Sequence, residues 1–288
     1  MTNQIPRPAR RWLWAALAGL IGACASTPGG PPRSTLSEER IAAIVASPDR
    51  SAADRTNDLR RKPVPLLAFI GLGPGMTALD LSAGGGYTSE LLARAIGPSG
   101  HVYSQTRPRD PSRPPPVPAA PEGNSAPPPA QAATLRPPGA AVADRAAKLA
   151  AANVAAAPIE VVVRPFEDPA PPALADAKLD LVTLMFNYHD LGFLGIDRAQ
   201  MNRAIFKALK PGGIYVVADH SGRPGTGISE SGTLHRIEEA FLRREVEAAG
   251  FNLAAEGNFL RNPADPRDRN TPEPPQPKDE FVLKFAKP

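Results

Sequence analysis

Three stretches of this 288-residue chain carry side chains that do chemistry in proteins. Asn187-Tyr188-His189-Asp190 and Asp219-His220 each set an imidazole beside a carboxylate, the groups that move protons near neutral pH or ligate metal ions. Asp80-Leu81-Ser82-Ala83-Gly84-Gly85-Gly86 puts a carboxylate ahead of three glycines, which admit left-handed backbone and let a ligand approach bare main chain. Cys24 is the single cysteine, so a disulfide framework and a Cys-based zinc cluster are both excluded. None of these groups can act alone, so the elements that bring them together decide the chemistry.

Those elements follow from apolar patterning. Met76–Leu81 is a short, mostly apolar run that reads as a strand and leads straight into the glycine loop. Thr88–Ile96 reads as a helix with Leu91, Leu92, Ala95 and Ile96 on one face, stopped by Gly97-Pro98. His101–Gln105 and Ile159–Val163 are the second and third strands, with a helical stretch at Ala140–Ala152 between them. Leu179–Phe186 is continuously apolar, as a strand buried on both faces should be. Asp197–Leu209 is a helix capped by Asp197, and Lys210-Pro211-Gly212-Gly213 turns into the strand Ile214–Ala218. Leu234–Ala249 is expected to form the next helix, stopped by Gly250, with His235 and Glu238 as a surface pair on one face. Leu253–Glu256 and Phe281–Phe285 close the chain as an antiparallel pair. This alternation predicts an α/β, Rossmann-like, doubly wound sheet of seven strands, mostly parallel with the last strand antiparallel. Such sheets bind ligands outside the carboxyl ends of their strands, which brings the glycine loop, Asn187–Asp190 and Asp219-His220 to one edge.

The 36 prolines cannot be spread through helices and central strands, and they concentrate outside them. Residues 108–138 hold 12 in 31 and read as an insertion after strand two, a spacer in extended or polyproline-like form. Residues 262–279 hold 6 in 18 and read as an extended loop before the last strand. Ahead of the main domain, at 63–288, residues 37–62 read as a helical segment. Ser37–Ala46 forms one short helix there, Arg50–Lys62 another helix or a cap, and Pro63 and Pro65 close it.

Residues 1–23 carry Arg7, Arg10 and Arg11 with no acidic residue, followed by the apolar run Trp12–Ile21, too short to span a bilayer. Basic, then apolar, then small residues is the order of an export signal. Ile21-Gly22-Ala23-Cys24 resembles a bacterial lipobox, which implies lipidation of Cys24, a flexible tether over 24–36 and a periplasmic location at the membrane. Ala23-Cys24-Ala25 also fits a signal-peptidase site that would release a soluble protein, and a short membrane anchor is a further reading. The formal charge is +4; without the three leader arginines, 30 basic side chains face 29 acidic ones, and a body so near neutral offers no phosphate-binding footprint. Nucleic acid is therefore not an expected partner.

The glycine loop does not follow the dinucleotide G-x-G-x-x-G spacing, because Ser89 stands at the third glycine position. It is similar instead to the first motif of the class I S-adenosylmethionine (SAM)-dependent methyltransferases, an acidic residue followed by alternating glycines, here Asp80-x-x-x-Gly84-x-Gly86. Pro74-Gly75-Met76, Phe166-Glu167-Asp168, Asn187-Tyr188-His189-Asp190 and Lys210-Pro211-Gly212-Gly213 stand where that family has its other landmarks, so the resemblance covers about residues 63–287. The chain also resembles a group of bacterial predicted methyltransferases that carry export signals. The resemblance implies SAM as cofactor, held by Asp80, Ser82, Ala83, Gly84, Gly86, Gln105, Asp168 and Asn187. Asp80 would orient the amino group, Gln105 the ribose and Asp168 the adenine. Two positions depart from the family pattern: Ser82 replaces the first glycine of the loop, and Gln105 replaces the acidic residue that binds both ribose hydroxyls.

Methyl transfer to a small or medium acceptor is the activity the resemblance implies. A hydroxyl or amine acceptor needs a proton removed, and His189 or His220, with Asp190 beside them, are the candidates. His189, Asp190, Asp219 and His220 are also metal-ligand types, but the Asp-Asn pair carried after strand five by the metal-holding members is missing, so no metal is expected. His220–Gly232 reads as a mobile lid, with Arg223 available to an anionic substrate. A non-catalytic envelope lipoprotein that keeps the fold is the alternative of a different class, and a nicotinamide oxidoreductase is a third.

Overall fold

The computed structural model describes residues 1–2, 35–109, 136–270 and 277–288. Residues 3–34, with Cys24 and nearly all of the stretch expected as leader and tether, lie outside the described residues, as do most of the Pro-rich insertion and the middle of the second Pro-rich loop. Helices α1 (Glu38–Val45), α2 (Ala52–Arg61) and α3 (Pro63–Ile70) precede β1 (Thr77–Leu81), α4 (Tyr87–Ile96) and β2 (His101–Thr106). Then come α5 (Ala140–Ala151), β3 (Ile159–Val163), β4 (Leu179–Met185), the single turn α6 (Asp190–Phe193), α7 (Arg198–Ala208) and β5 (Leu209–His220). Helix α8 (Glu239–Glu247), β6 (Asn252–Gly257) and β7 (Glu280–Ala286) complete the chain.

The seven strands form one sheet in the order β3-β2-β1-β4-β5-β7-β6. The five at the β3 side pair in parallel, and β7 runs antiparallel to both β5 and β6. Alternate side chains of each strand feed the two faces: Ala78 joins a core with α1, α3 and α4, whereas Leu79 and Leu81 join one with α7 and α8. Order reverses between β1 and β4, so the carboxyl ends of these two strands border the crevice in which such sheets take ligands. Among the described residues no helix is long and apolar enough to cross a membrane.

The helix signals act as expected at α1 and α7, where Ser37 and Asp197 accept from the N–H groups of Arg40 and Gln200. Two expectations need correction. Pro63 and Pro65 lie in the first turn of α3, where a missing N–H costs nothing; Lys62 takes a left-handed φ of 43° and joins α2 directly to it. The helix expected from Leu234 begins only at Glu239, because 235–238 are drawn out along the end of β5. There Ile237 donates to His220 and accepts from Gly222, and Ile237 bridges Ser221 in parallel. A Cβ on Gly222 would stand 2.9 Å from the Glu238 nitrogen, so glycine is what permits this approach.

Candidate functional site

The turn after β1 is built on left-handed backbone at Ser82, Gly84 and Gly86, with φ of 53°, 55° and 77°. Glycine takes this conformation freely; Ser82 takes it at a cost of roughly 1 kcal/mol. Gln105 holds the turn in place. Its carboxamide oxygen accepts from the Ser82 N–H at 2.9 Å, its carboxamide nitrogen donates to the Arg164 carbonyl at 2.6 Å, and its own carbonyl accepts from Ala83. The side chain is fully buried with both polar atoms committed to backbone. Its expected role on a ribose is thereby corrected: the amide faces into the protein and shapes the loop.

Asp80, at the end of β1, is almost wholly buried, with Ser89 donating to one oxygen at 2.6 Å and Thr183 to the other at 2.8 Å. Burial pushes its carboxyl up to about 6, although the two hydroxyls and the Arg61 charge pull the other way. Above it opens a recess of about 320 Å³ bounded by Asp80, Ser82–Gly85 and Thr88 below and Met185 to the side. Its roof is α2, through Ala53, Asp54, Asn57 and Arg61, with Arg145 of α5 closing the edge. Arg145 donates to the Gly85 carbonyl at 2.8 Å and to Asp54 at 2.6 Å, and also pairs with Glu90. Burial works to raise the Asp54 pKa, but the guanidinium of Arg145 outweighs it and holds the carboxyl below its ordinary value. Arg50 and Tyr87 both bind Asp58, which fastens α2 over the loop. The polar run 50–62 therefore supplies one wall of the recess, a role its sequence did not disclose.

Asp168 and Asn187 do not border this recess. Asp168 is exposed and pairs with Arg164 four residues before it. Asn187 donates to Asp190 at 2.8 Å. Both pair with neighbouring protein groups and stand apart from the recess.

The second cluster lies where β4 and β5 end. Met185 borders the recess, and the next residue, Phe186, stacks on His220 with ring centres 5.6 Å apart. Arg60 and Arg61 cover the Phe186 ring at 4.7 and 4.8 Å, and Arg61 also borders the recess, so the recess and the rim are neighbours. His189 is buried between two carboxylates: Nδ1 lies 2.6 Å from Asp219 and Nε2 lies 3.0 Å from Asp190. Burial alone would lower the His189 pKa; Asp219, with Asp190, outweighs it and raises it to about 10. In the protonated form both ring nitrogens donate, Nδ1 to Asp219 and Nε2 to Asp190. His220, also buried, has Nδ1 3.0 Å from Glu280, which Arg60 contacts at 2.7 Å.

Three of the chain's four histidines meet here, because His235 brings Nδ1 to 3.0 Å from the same Asp190 oxygen that His189 contacts. His235 takes a left-handed φ of 51° and is anchored by its neighbour: Arg236 is fully buried in a two-pronged pair with Asp265. Sequence reasoning placed His235 on a helix surface; the signal against it was the run of small residues before it, which favours a chain returning along the sheet edge. The expected lid is likewise fastened. Ser231 donates to the His189 carbonyl at 2.6 Å and accepts from the Phe193 N–H at 2.9 Å, while Arg223 is spent on Glu230. Tyr188 points away, its hydroxyl hydrogen-bonded to Asn202 and Glu245 in the core.

No family model matches the sequence, and no curated protein matches it. Solved structures do share the fold. A SAM-dependent methyltransferase from Aquifex aeolicus matches over 87% of this chain and 98% of its own, with a TM-score of 0.50 at 16% identity. The pyocyanin biosynthetic protein PhzM matches over 86% of this chain at a TM-score of 0.50 and 13% identity, and the chain spans 61% of that protein. The strand order, with its antiparallel β7, is that of the Rossmann-like methyltransferase fold.

Proposed function

We propose that this chain is a SAM-dependent methyltransferase acting on a small or medium acceptor. The observation that carries the reading is the recess floored by Asp80 and bare glycine backbone, next to a rim of titratable side chains to which Arg61 links it by covering Phe186. The residues present fit the amino-acid end of the cofactor. Asp80 and Asp54 offer carboxylates to an ammonium, and the N-terminus of α4, whose cap makes no side-chain hydrogen bond, offers N–H groups to a carboxylate. An added Cβ on Gly85 would meet nothing within 4 Å, so that backbone is open to contact. Bound SAM would supply an electrophilic methyl group and leave as a neutral thioether.

The rest of the work falls to the chain. Arg145 and α2 wall the recess and would hold the bound cofactor in position. Of the two histidines expected as base, His220 is the one we assign to the acceptor's proton, with Glu280 3.0 Å from its Nδ1. Calorimetric titration of the full chain with SAM tests the reading. Saturable binding that Asp80→Asn weakens supports it; no heat at about millimolar SAM overturns it and leaves the non-catalytic reading. Export belongs to the same proposal. Removal of residues 1–23 and lipidation of Cys24 would leave the protein in the membrane fraction with acyl mass on its N-terminus. A soluble mature protein without that mass would refute this part alone.

A further inference from the structure

Among the described residues, His189, Asp190 and His235 bring potential ligand atoms within 4.8 Å of one another. We propose that these three residues form a binding site for a divalent transition-metal ion of the zinc type. The site does not rest on methyl transfer.

Four observations carry it. Asp190 Oδ1 stands 3.0 Å from both His189 Nε2 and His235 Nδ1. Donors at about 2.1 Å from a common ion lie about 3.0 Å apart at right angles and about 3.4 Å apart at the tetrahedral angle, so these separations suit a shared ion. The other ring nitrogen of His189 meets Asp219 at 2.6 Å, the carboxylate–histidine arrangement that fixes a ligating imidazole. Asp219 also accepts from the His189 N–H at 2.7 Å and Asn187 donates to the second Asp190 oxygen at 2.8 Å, so two of the ligands have their own supports. Finally, His235 is held in a left-handed conformation next to the buried Arg236–Asp265 pair, which directs a strained backbone position at this cluster.

Two imidazoles and one carboxylate select a borderline ion over magnesium or calcium. On binding, the ion displaces the proton that Nε2 otherwise donates to Asp190. Three protein ligands leave at least one coordination position for water or for an oxygen of a bound molecule. His189 is buried while Asp190 and His235 are partly exposed, which leaves an ion a route of entry from solvent. The Asp-Asn pair is missing after strand five, but the ligand that completes this set, His235, comes from a later loop.

The test is metal binding by the full chain, stripped with a chelator and titrated with Zn(II) by calorimetry and with Co(II) by visible absorption. One equivalent should bind and give Co(II) ligand-field bands. His235→Asn and Asp190→Asn should each weaken Zn(II) by about a hundredfold or more, and Asp219→Asn by about 10–100-fold. Asn tolerates a left-handed φ, and His235 is partly exposed, so that variant should keep the wild-type fold. His101→Asn, at the far end of β2, should bind as wild type. Absence of saturable Zn(II) binding overturns the proposal. So does binding that neither His235→Asn nor Asp190→Asn weakens, which would put the ion elsewhere on the chain.

Discussion

Asp219 grips His189 twice: one carboxylate oxygen accepts from the His189 backbone N–H at 2.7 Å, and the other lies 2.6 Å from ring Nδ1. The two side chains are 0% and 1% exposed, so β5 sets both the position and the ring orientation of the first residue of α6's N-terminal turn. A ring fixed in this way is a positioned donor or ligand, which is why it differs in role from His220 on the neighbouring strand.

Replacing Asp219 should therefore be costly. Removing one member of a buried ion pair costs about 3–5 kcal/mol, and Asp190 remains to compensate part of the His189 charge. Asp219→Asn should lower the unfolding free energy by about 3 kcal/mol in urea titration. A loss below about 1 kcal/mol would show that the pair contributes little.

Asp80 makes two predictions with opposite signs. Its folded pKa of about 6 lies above the ordinary 3.8, so the protonated form favours the native state. Stability should fall as pH rises from about 4 to about 6, by about 3 kcal/mol from this group. Asp80→Asn should remove that slope. SAM binding needs the ionised form, so its Kd should rise up to about tenfold per pH unit below about 6. Calorimetry across that range in wild type and Asp80→Asn checks both. A flat wild-type affinity would remove Asp80 from the ammonium contact.

Ser82 carries strain that glycine would not. With φ at 53° and its N–H already bonded to Gln105, Ser82→Gly should keep the loop and gain about 0.5–1 kcal/mol. Thermal melts in the presence and absence of SAM would read this gain, and SAM affinity should be unchanged or tighter. A loss of stability would mean that the hydroxyl contributes more than the backbone strain costs.

The Arg236–Asp265 pair has both side chains at 0% exposure and ties 235–238 to the second Pro-rich loop. Asp265→Ala leaves a buried guanidinium without its carboxylate and should cost about 3–5 kcal/mol. The damage should spread to His235, visible as a changed imidazole environment by NMR. An unaltered His235 signal would uncouple the anchor from the rim.

The order and type of the strands were legible from residue pattern, because apolar alternation, caps and Gly-Pro stops act within a few residues of themselves. So was the left-handed turn at Gly84 and Gly86, since few other residues take that backbone freely. Asp80 at the end of β1 followed from the same local grammar. Direction was not legible. Gln105 sits where a cofactor contact was expected, yet its amide turns inward because Ser82 and Arg164, brought there by separate strands, offer it backbone partners. His235 read as a helical surface residue until β5 drew Ile237 alongside Ser221 and carried it to Asp190. The roof over the recess came from α2, through ion pairs joining residues such as Asp54 and Arg145 that are far apart in the chain. Periodicity encodes which face of an element is apolar. Which polar groups share a site depends on contacts between distant elements, and those exist only once the sheet has closed.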